Sequence, residues 1–439
     1  MNNHRLLTGL LSAILLGGGV CAVGQTRQVL SIEDLFEIAE SNSVQLRLSV
    51  TAEEVARREI SVANSQRLPD INASMSLSYI GNGFITKRNF KDYQEAPIPH
   101  LGTGLGLNVS QLVYTGGAIR NSIRLAELKL TSSRYATELN RDNIRFTLAG
   151  FYLDIYKYTN LRSVVESNLG QARMVLAEMK ARYEQGVALQ NDITRYELLV
   201  SSLEFQLIKI ANTLEILNNN LVVTAGMPEG TVIVPDSAIL ARSLPSSGET
   251  WWQEEASQNA PALKLARNSL DISRKAEDLV RSERLPKVGL QAAWTMDGPI
   301  LVEIPPINRN LSYWYVGVGV SYNLSSLYKT NKALSKSRAA TQEAIERLDA
   351  AEENVSLGIR ADYVRYLESY EELKTQQKSV ELATRNYATV ATRYSAGIAL
   401  ITDMLDAANS RLDAEQQLVN ARINIIYYYY KLLFTSGKI

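Results

Sequence analysis

Arg182-Tyr183-Glu184-Gln185-Gly186-Val187-Ala188-Leu189 is answered 211 positions later by Arg393-Tyr394-Ser395-Ala396-Gly397-Ile398-Ala399-Leu400. The correspondence runs on without a gap. Asp192 aligns with Asp403, Glu204 with Glu415, Gln206-Leu207 with Gln417-Leu418, and Thr224 and Gly226 with Thr435 and Gly437. A duplicated sequence implies a duplicated structural unit, and this period is far longer than a solenoid repeat. It predicts a fold built as two similar halves.

The duplication reaches upstream. Ser65-Gln66-Arg67-Leu68-Pro69 matches Ser282-Glu283-Arg284-Leu285-Pro286 at an offset of 217, as Ala39 and Asn42 match Ala256 and Asn259. The offset returns to 211 at Val109-Ser110 over Val320-Ser321, so the halves differ by six residues between these landmarks. Length differences collect in surface loops, which places a loop there.

The chain has 439 residues, with 46 Lys+Arg balanced by 46 Asp+Glu. That balance argues against a nucleic-acid partner, which calls for a clustered basic excess. His4 and His100 are the two histidines and Cys21 the single cysteine, too few for a His- or Cys-based metal site. Residues 1–24 read as a secretory signal: His4 and Arg5, an apolar run from Leu6 to Val20, then small residues. Cleavage is expected near Gly24-Gln25. A lipid anchor on Cys21 is the alternative, which the bulky Val20 before it disfavours. No other stretch resembles a spanning helix of roughly 20 apolar residues. An exported chain of this kind is either soluble outside the inner membrane or inserted as a β-barrel.

Three segments follow the leader: a first repeat over 25–226, a linker over 227–249 rich in Pro, Ser and Gly, and a second repeat over 250–439. Each repeat reads as helix, two strands, long helix, short helix. The first helix is expected from about Ser31, an N-cap with Asp34 three residues on, to Gln66. Pro69 and Pro286 end their helices, because the residue before proline is pushed out of the α region. Strand alternation follows over about 70–80 and 101–113, and again over about 287–297 and 311–323. Gly102-x-Gly-x-Gly106 opens a strand, not a helix, so it reads as a small-residue face and not as a dinucleotide loop. Trp294, Tyr313, Trp314 and Tyr315 near strand ends suit an interfacial aromatic girdle. Tyr427–Tyr430 encircle a helix and read as subunit-packing residues, and Trp251-Trp252 as an anchor at a helix start.

The long helices, about 117–185 and 330–396, carry an apolar seam at alternating three- and four-residue spacing. Tyr363, Tyr366, Tyr370, Tyr387 and Tyr394 lie on it in the second half, Leu148, Tyr152, Leu169 and Met179 in the first. Seventy helical residues span about 105 Å. The turns near Gly186 and Gly397 then form one end of the object and the strands the other. Four strands of membrane-crossing length cannot close a barrel alone, since lipid tolerates no open edge. Membrane insertion therefore requires oligomerisation. A trimer supplies 12 strands and 12 helices in cross-section; at roughly 10 Å between axes the helices ring a lumen about 28 Å wide.

The two halves, the Arg-Leu-Pro strand entries and the Arg-Tyr-x-x-Gly-(Val/Ile)-Ala-Leu-x-x-Asp turns resemble the TolC-like outer-membrane efflux proteins, from about Ser31 to Gly437. The resemblance implies a mainly α fold with a membrane β-barrel: a homotrimeric 12-stranded β-barrel in outer-membrane lipid, continuous with a 12-helix α-barrel in the periplasm. It implies a channel with no catalysis and no cofactor, gated at its periplasmic tip. Its implied partners are a periplasmic adaptor (membrane fusion protein) and an inner-membrane transporter that chooses the cargo.

Asp403 and Asp406 lie i, i+3 on one face just after the Gly397 turn. They read either as acids favoured by the helix macrodipole or, as the resemblance implies, as a ring of six carboxylates at the entrance that selects cations. Asp192 matches Asp403, but Arg195 stands where Asp406 would be. The resemblance makes Asp192 and Tyr394 candidate gate contacts; plain seam packing is the other reading of Tyr394. A well-studied member has arginine two residues after its second tip glycine, where this chain has Ala399, so Arg195 or Arg393 is expected to hold the gate. Gly186 and Gly397 are expected to permit a positive φ or a tight approach in the tip turns, and adaptor hairpins to dock between the tips. No nucleophile elbow, P-loop or metal spacing points to an enzyme. The competing class is a soluble exported coiled-coil scaffold or adaptor whose strands form a small sheet outside any membrane.

Overall fold

The computed structural model describes residues 26–241, 244 and 247–439. The expected leader, with Cys21, lies outside the described residues. Within them β1 (Thr26–Leu30) precedes a first unit of α1 (Ile32–Asn42), α2 (Val44–Ser65), β2 (Asp70–Tyr79), a short hairpin of β3 (Gly83–Ile85) and β4 (Gln94–Ala96), β5 (Leu101–Tyr114), α3 (Ala118–Glu184) and α4 (Gln190–Ala225). After β6 (Thr231–Pro235) and a 3-10 turn at Ser237–Ala241, the second unit repeats the order. It comprises α5 (Glu249–Asn259), α6 (Pro261–Ser282), β7 (Lys287–Gly298), β8 (Leu311–Ser321), α7 (Ser326–Ser395) and α8 (Ile401–Ser436). At 67 and 70 residues, α3 and α7 are each about 100 Å long. No helix among the described residues is long and apolar enough to cross a membrane.

The single helix expected from Ser31 to Gln66 is in fact two, broken at Ser43 (φ −61°, ψ 124°). Ser31 does start the first: its hydroxyl accepts from the Asp34 amide at 3.1 Å, and Asp34 accepts from the Ser31 amide at 3.0 Å, a reciprocal capping box. The break is repeated at Ala260 (φ −56°, ψ 116°), where Pro261 opens α6. Both breaks serve the same contact. Gly226 ends α4 at φ +71° and Gly437 ends α8 at φ +73°; a Cβ on either would lie 2.3 Å from the Asn42 carbonyl oxygen or 2.6 Å from that of Asn259. Each unit thus closes on itself, the end of its last helix seated against the interruption in its first.

After α4 the chain packs back on the first unit through β6, and the 3-10 turn that follows reaches α8. β6 pairs in parallel with β1, from Thr26↔Thr231 to Leu30↔Pro235. Two side chains pin this pair to the helices. The Tyr152 hydroxyl donates to the Leu30 carbonyl at 2.9 Å and accepts from the Asp236 amide at 2.8 Å. Asn218 donates to the Thr231 carbonyl and accepts from the Ile233 amide. Beside them lies the largest core cluster, with Leu148, Tyr152, Trp252, Ile359, Tyr366 and Leu432 among its buried members. Tyr429 and Tyr430 also belong to it, so these tyrosines pack inside the chain's own core; of the run expected between subunits, Tyr427 is left 36 % exposed.

The long strands form one antiparallel sheet in the order β2-β5-β7-β8. Its register decides the character of each face. Met75 opposes Leu105, Leu105 opposes Met296, Leu107 opposes Trp294, and Trp294 opposes Trp314. By strand alternation Ile71, Leu77, Leu290, Val316, Val318 and Val320 share that face. The other face carries Asn72, Ser74, Ser76, Gly104, Gly106, Asn108, Gln291, Thr295 and Asp297. Tyr313 and Tyr315 lie across from Thr295 and Ala293 on this polar face. They therefore lie on the opposite face from Trp294 and Trp314, and the four aromatics expected to form one girdle are divided between the two faces. The apolar face is bare: Met75 is 79 % exposed, Trp314 74 % and Val318 70 %.

Gly226 and Gly186 separate two demands on glycine. Both have positive φ, but a Cβ on Gly186 meets nothing within 4 Å. Gly186→Ala should cost only the left-handed strain, about 1–2 kcal/mol. Gly226→Ala adds a backbone clash and should lower the unfolding midpoint of the purified protein clearly further. Equal midpoints for the two variants would contradict the seating of α4 on the α1–α2 break.

Candidate functional site

At the end opposite the sheet, α3 turns into α4 and α7 into α8 through two identical motifs. Gly186 (φ +77°) donates to the Tyr183 carbonyl at 2.9 Å, and Val187 to that of Arg182 at 3.0 Å. Gly397 (φ +74°) and Ile398 do the same to Tyr394 and Arg393, at 2.9 and 2.8 Å. These are Schellman turns, which explains why Arg-Tyr-x-x-Gly recurs. The glycine is needed for its backbone conformation and not for close approach, since neither turn crowds its Cα.

The two hairpins are not separate. Ile193 and Tyr196 of α4, Met179 of α3, and Ile401 and Met404 of α8 share one buried cluster, against which Tyr387, Val390 and Tyr394 of α7 pack. Burial and the nearby Asp192 carboxylate raise the Tyr394 phenol above its ordinary value, with Arg182 opposing. Tyr394, Asp192 and Arg182 therefore meet where hairpin touches hairpin. Arg182 makes the direct link: Nη2 donates to the Ser395 carbonyl across the turn at 3.2 Å, while Glu178 holds the same guanidinium at 2.8 Å.

Arg195 and Arg393 are both exposed and make no ion pair among the described residues. Within one copy, the basic residue joining the tips is Arg182, the repeat counterpart of Arg393. The duplication was the signal, since it matches Arg393 with Arg182. Asp403 and Asp406 are exposed on α8, with Met404 and Ala407 buried on its opposite side. Asp403 also accepts from the Leu400 amide at 3.1 Å, so it caps the helix it starts. The strand-entry residues Arg67, Leu68 and Pro69, and Arg284, Leu285 and Pro286, lie at the far end between α2 and β2 and between α6 and β7.

Sequence reasoning missed a second link, about ten residues into α8. Arg411 is 7 % exposed. Its Nη2 donates to the Asn168 side-chain oxygen at 2.7 Å and to Gln171, its guanidinium lies 4.0 Å from the centre of the Tyr387 ring, and Glu415 is 3.7 Å from Nε. Asn168 in turn donates to Glu415 at 2.7 Å. One buried cation thus ties α3, α7 and α8 together. Its repeat counterpart is Val200, and a charge facing a valine on a coiled-coil seam was legible as an anomaly.

A sheet with a bare apolar face, continued by helices about 100 Å long that meet again at their far end, suits a membrane-anchored duct. Comparison with known proteins places it further. Residues 35–226 and 252–427 match the family described as outer membrane efflux protein, and the chain belongs to that family. It is 21 % identical over 437 residues to the outer membrane efflux protein BepC of Brucella suis, covering 98 % of this chain and 90 % of that protein. It is 23 % identical to the outer membrane protein TolC of Vibrio cholerae, over 92 % of this chain and 91 % of that one. The crystal structure of the outer membrane protein VceC from Vibrio cholerae shares the fold, with a TM-score of 0.77 over 92 % of this chain and 96 % of that chain, at 17 % identity. The family is one of channels, and this chain is an outer-membrane efflux channel protein.

Arg411→Ala would leave Asn168 and Gln171 without their buried donor and Glu415 without its nearest cation, and should destabilise the protein by about 1–3 kcal/mol. Arg411→Met, which keeps the volume and the contact with Tyr387, should cost less. Thermal unfolding of both variants checks the order; equal, small losses would mean the network carries little energy.

Proposed function

We propose that three copies of this chain close a 12-stranded barrel and a continuous helical tunnel, forming the exit duct of a tripartite efflux or secretion system. One observation carries the proposal: a four-stranded sheet with a bare apolar face and with β2 and β8 as unpaired edges. All strand pairs are antiparallel and the number is even, so β8 of one copy meets β2 of the next in antiparallel sense. Closure removes every edge. In this reading the channel is a passive conduit without cofactor or catalysis. A periplasmic adaptor engages the turns around Gly186 and Gly397, and an inner-membrane transporter supplies the energy and selects the cargo. The purified protein should have three times the chain mass by native mass spectrometry in detergent. A monomer, or release from cells without detergent, would rule the duct out.

The tips are the gate. Arg182, Tyr394 and Asp192 hold one hairpin against the other within each copy, while Asp403 and Asp406 from three copies converge as six carboxylates around the entrance. Such a ring favours cations and repels anions. Because Asp403 also caps α8, the discriminating variant is Asp403→Asn with Asp406→Asn, which removes the charges and keeps a cap acceptor. Reconstituted in planar bilayers, the native channel should prefer cations and be blocked by divalent ions, and the double variant should lose both properties. Unchanged selectivity would reduce these acids to their helix-capping role.

A further inference from the structure

Where the sheet gives way to helices, a cleft of about 550 Å3 opens between the end of α2, the start of α3 and the end of α6. Five cationic side chains line it: Arg67, Arg120, Arg124, Lys275 and Arg281. Only two acids, Glu127 and Asp278, share the lining, an excess of three positive charges in a chain whose overall charge is zero. The neutralisation is local. Arg124 pairs with Glu127 at 2.8 Å, Lys275 with Asp278 at 2.7 Å, and Arg281 with Glu277 at 2.9 Å. Arg67 and Arg120 make no ion pair among the described residues. The backbone of Arg67 is nevertheless fixed, since its carbonyl accepts from Gln111 of β5 at 2.9 Å.

The field here comes from side chains. The N-terminus of α3 and the C-terminus of α6 both border the cleft, so their dipoles oppose each other. Unneutralised like charges held together are a cost to the fold unless a counter-ion occupies the space between them. Guanidinium forks match the oxygens of a phosphate group better than those of any other common biological anion apart from carboxylate. The position narrows the choice. Gly116 immediately follows β5 and Leu285 comes just before β7, so the cleft lies at the level where the membrane-facing strands end. Leu68 and Val113 beside it are 65 % and 64 % exposed, an apolar border below a basic one. Phosphodiester headgroups occupy that level of a bilayer, and basic pockets there recruit anionic lipid.

We propose that this cleft is a binding site for a phosphate group at the membrane boundary, contributed by a phospholipid headgroup or by free phosphate. The proposal rests on the outer-membrane location of the sheet and not on the trimer. It is tested by titrating the purified protein in neutral detergent with dioleoylphosphatidylglycerol, with dioleoylphosphatidylcholine as zwitterionic control, and separately with inorganic phosphate, reading the unfolding midpoint. Phosphatidylglycerol should raise the midpoint saturably. Arg67→Gln with Arg120→Gln should weaken its half-saturation about tenfold or more, whereas Arg58→Gln, an exposed arginine further up α2, should leave it unchanged. A shift with phosphatidylglycerol alone assigns the site to lipid, and an equal shift with inorganic phosphate assigns it to the free anion. No saturable shift with either probe, or equal weakening by the Arg58 variant, would overturn the site.

Discussion

A β-sheet edge in hydrocarbon leaves a row of backbone N–H and C=O groups with nothing to bond, and each such group costs several kcal/mol. This chain presents two such edges, β2 and β8, on a sheet whose outer face is apolar from Ile71 across to Val320. Water penalises the bare face and lipid penalises the bare edges, so the isolated chain suits neither solvent. Closing the edges with further copies satisfies both. The helices then follow the strands. Each long strand joins a helix through a junction of only a few residues, three of the four holding Pro69, Gly116 or Pro286. Bending the sheet around an axis therefore arranges α2, α3, α6 and α7 around the same axis, and the helical wall has to be hollow where the barrel is.

A tube 100 Å long made of two-helix units needs bracing at mid-height, and the duplication supplies it twice. Gly226 seats on the carbonyl of Asn42 and Gly437 on that of Asn259, through a backbone conformation that only glycine adopts without strain. The parallel pair β1–β6 lies against α3 and α4 of the first unit, fastened at one end by the hydroxyl of Tyr152, which bonds to both Leu30 and Asp236. Below this waist the hairpins are held together by side chains alone, through the cluster around Met179, Tyr196 and Met404 and the Arg411 network. The proposed gate places its movement in that lower part.

Much of this was legible in the sequence because symmetry and periodicity leave long signals. The strand spans, the long helices, the tip turns and the need for further copies all follow from repeats of period 2, about 3.5 and 211. The rest failed for local reasons. The break at Ser43 has no proline; Pro261 marks its twin at Ala260, and carrying that mark back through the repeat would have found it. Tyr313 and Tyr315 are aromatic and near a strand end, but their alternation places them with Thr295 and Ala293, and position in a pleat outranks residue type. Tyr429 and Tyr430 were read from their spread around a helix, whereas their burial is set by the waist they close. Arg182 and Arg393 are indistinguishable as sequence; which one bridges the hairpins depends on how the two units pack.

In the proposed gate, the asymmetry between the units gives the junction a preferred way to part. Two identical hairpins packed side by side would present matched surfaces and no preferred way to part. Here the replacements are complementary. Val200 in the first hairpin becomes Arg411 in the second, and the groups that receive it, Asn168 and Gln171, stand opposite on α3, where the repeat counterparts are Ser379 and Leu382. At the tip, Arg195 replaces the acid that Asp406 provides, so negative charge accumulates on α8 alone. The buried cation fixes α8 against α3 some 15 Å above the turn, and the tip below it is joined by a partly exposed arginine and a tyrosine phenol. Bonds of that exposure exchange with water at little cost, whereas the Arg411 network does not. Opening by separation of the tips about a pivot at Arg411 is therefore cheaper than sliding the hairpins past each other, and it moves Asp403 and Asp406 farther than any other acids on α8.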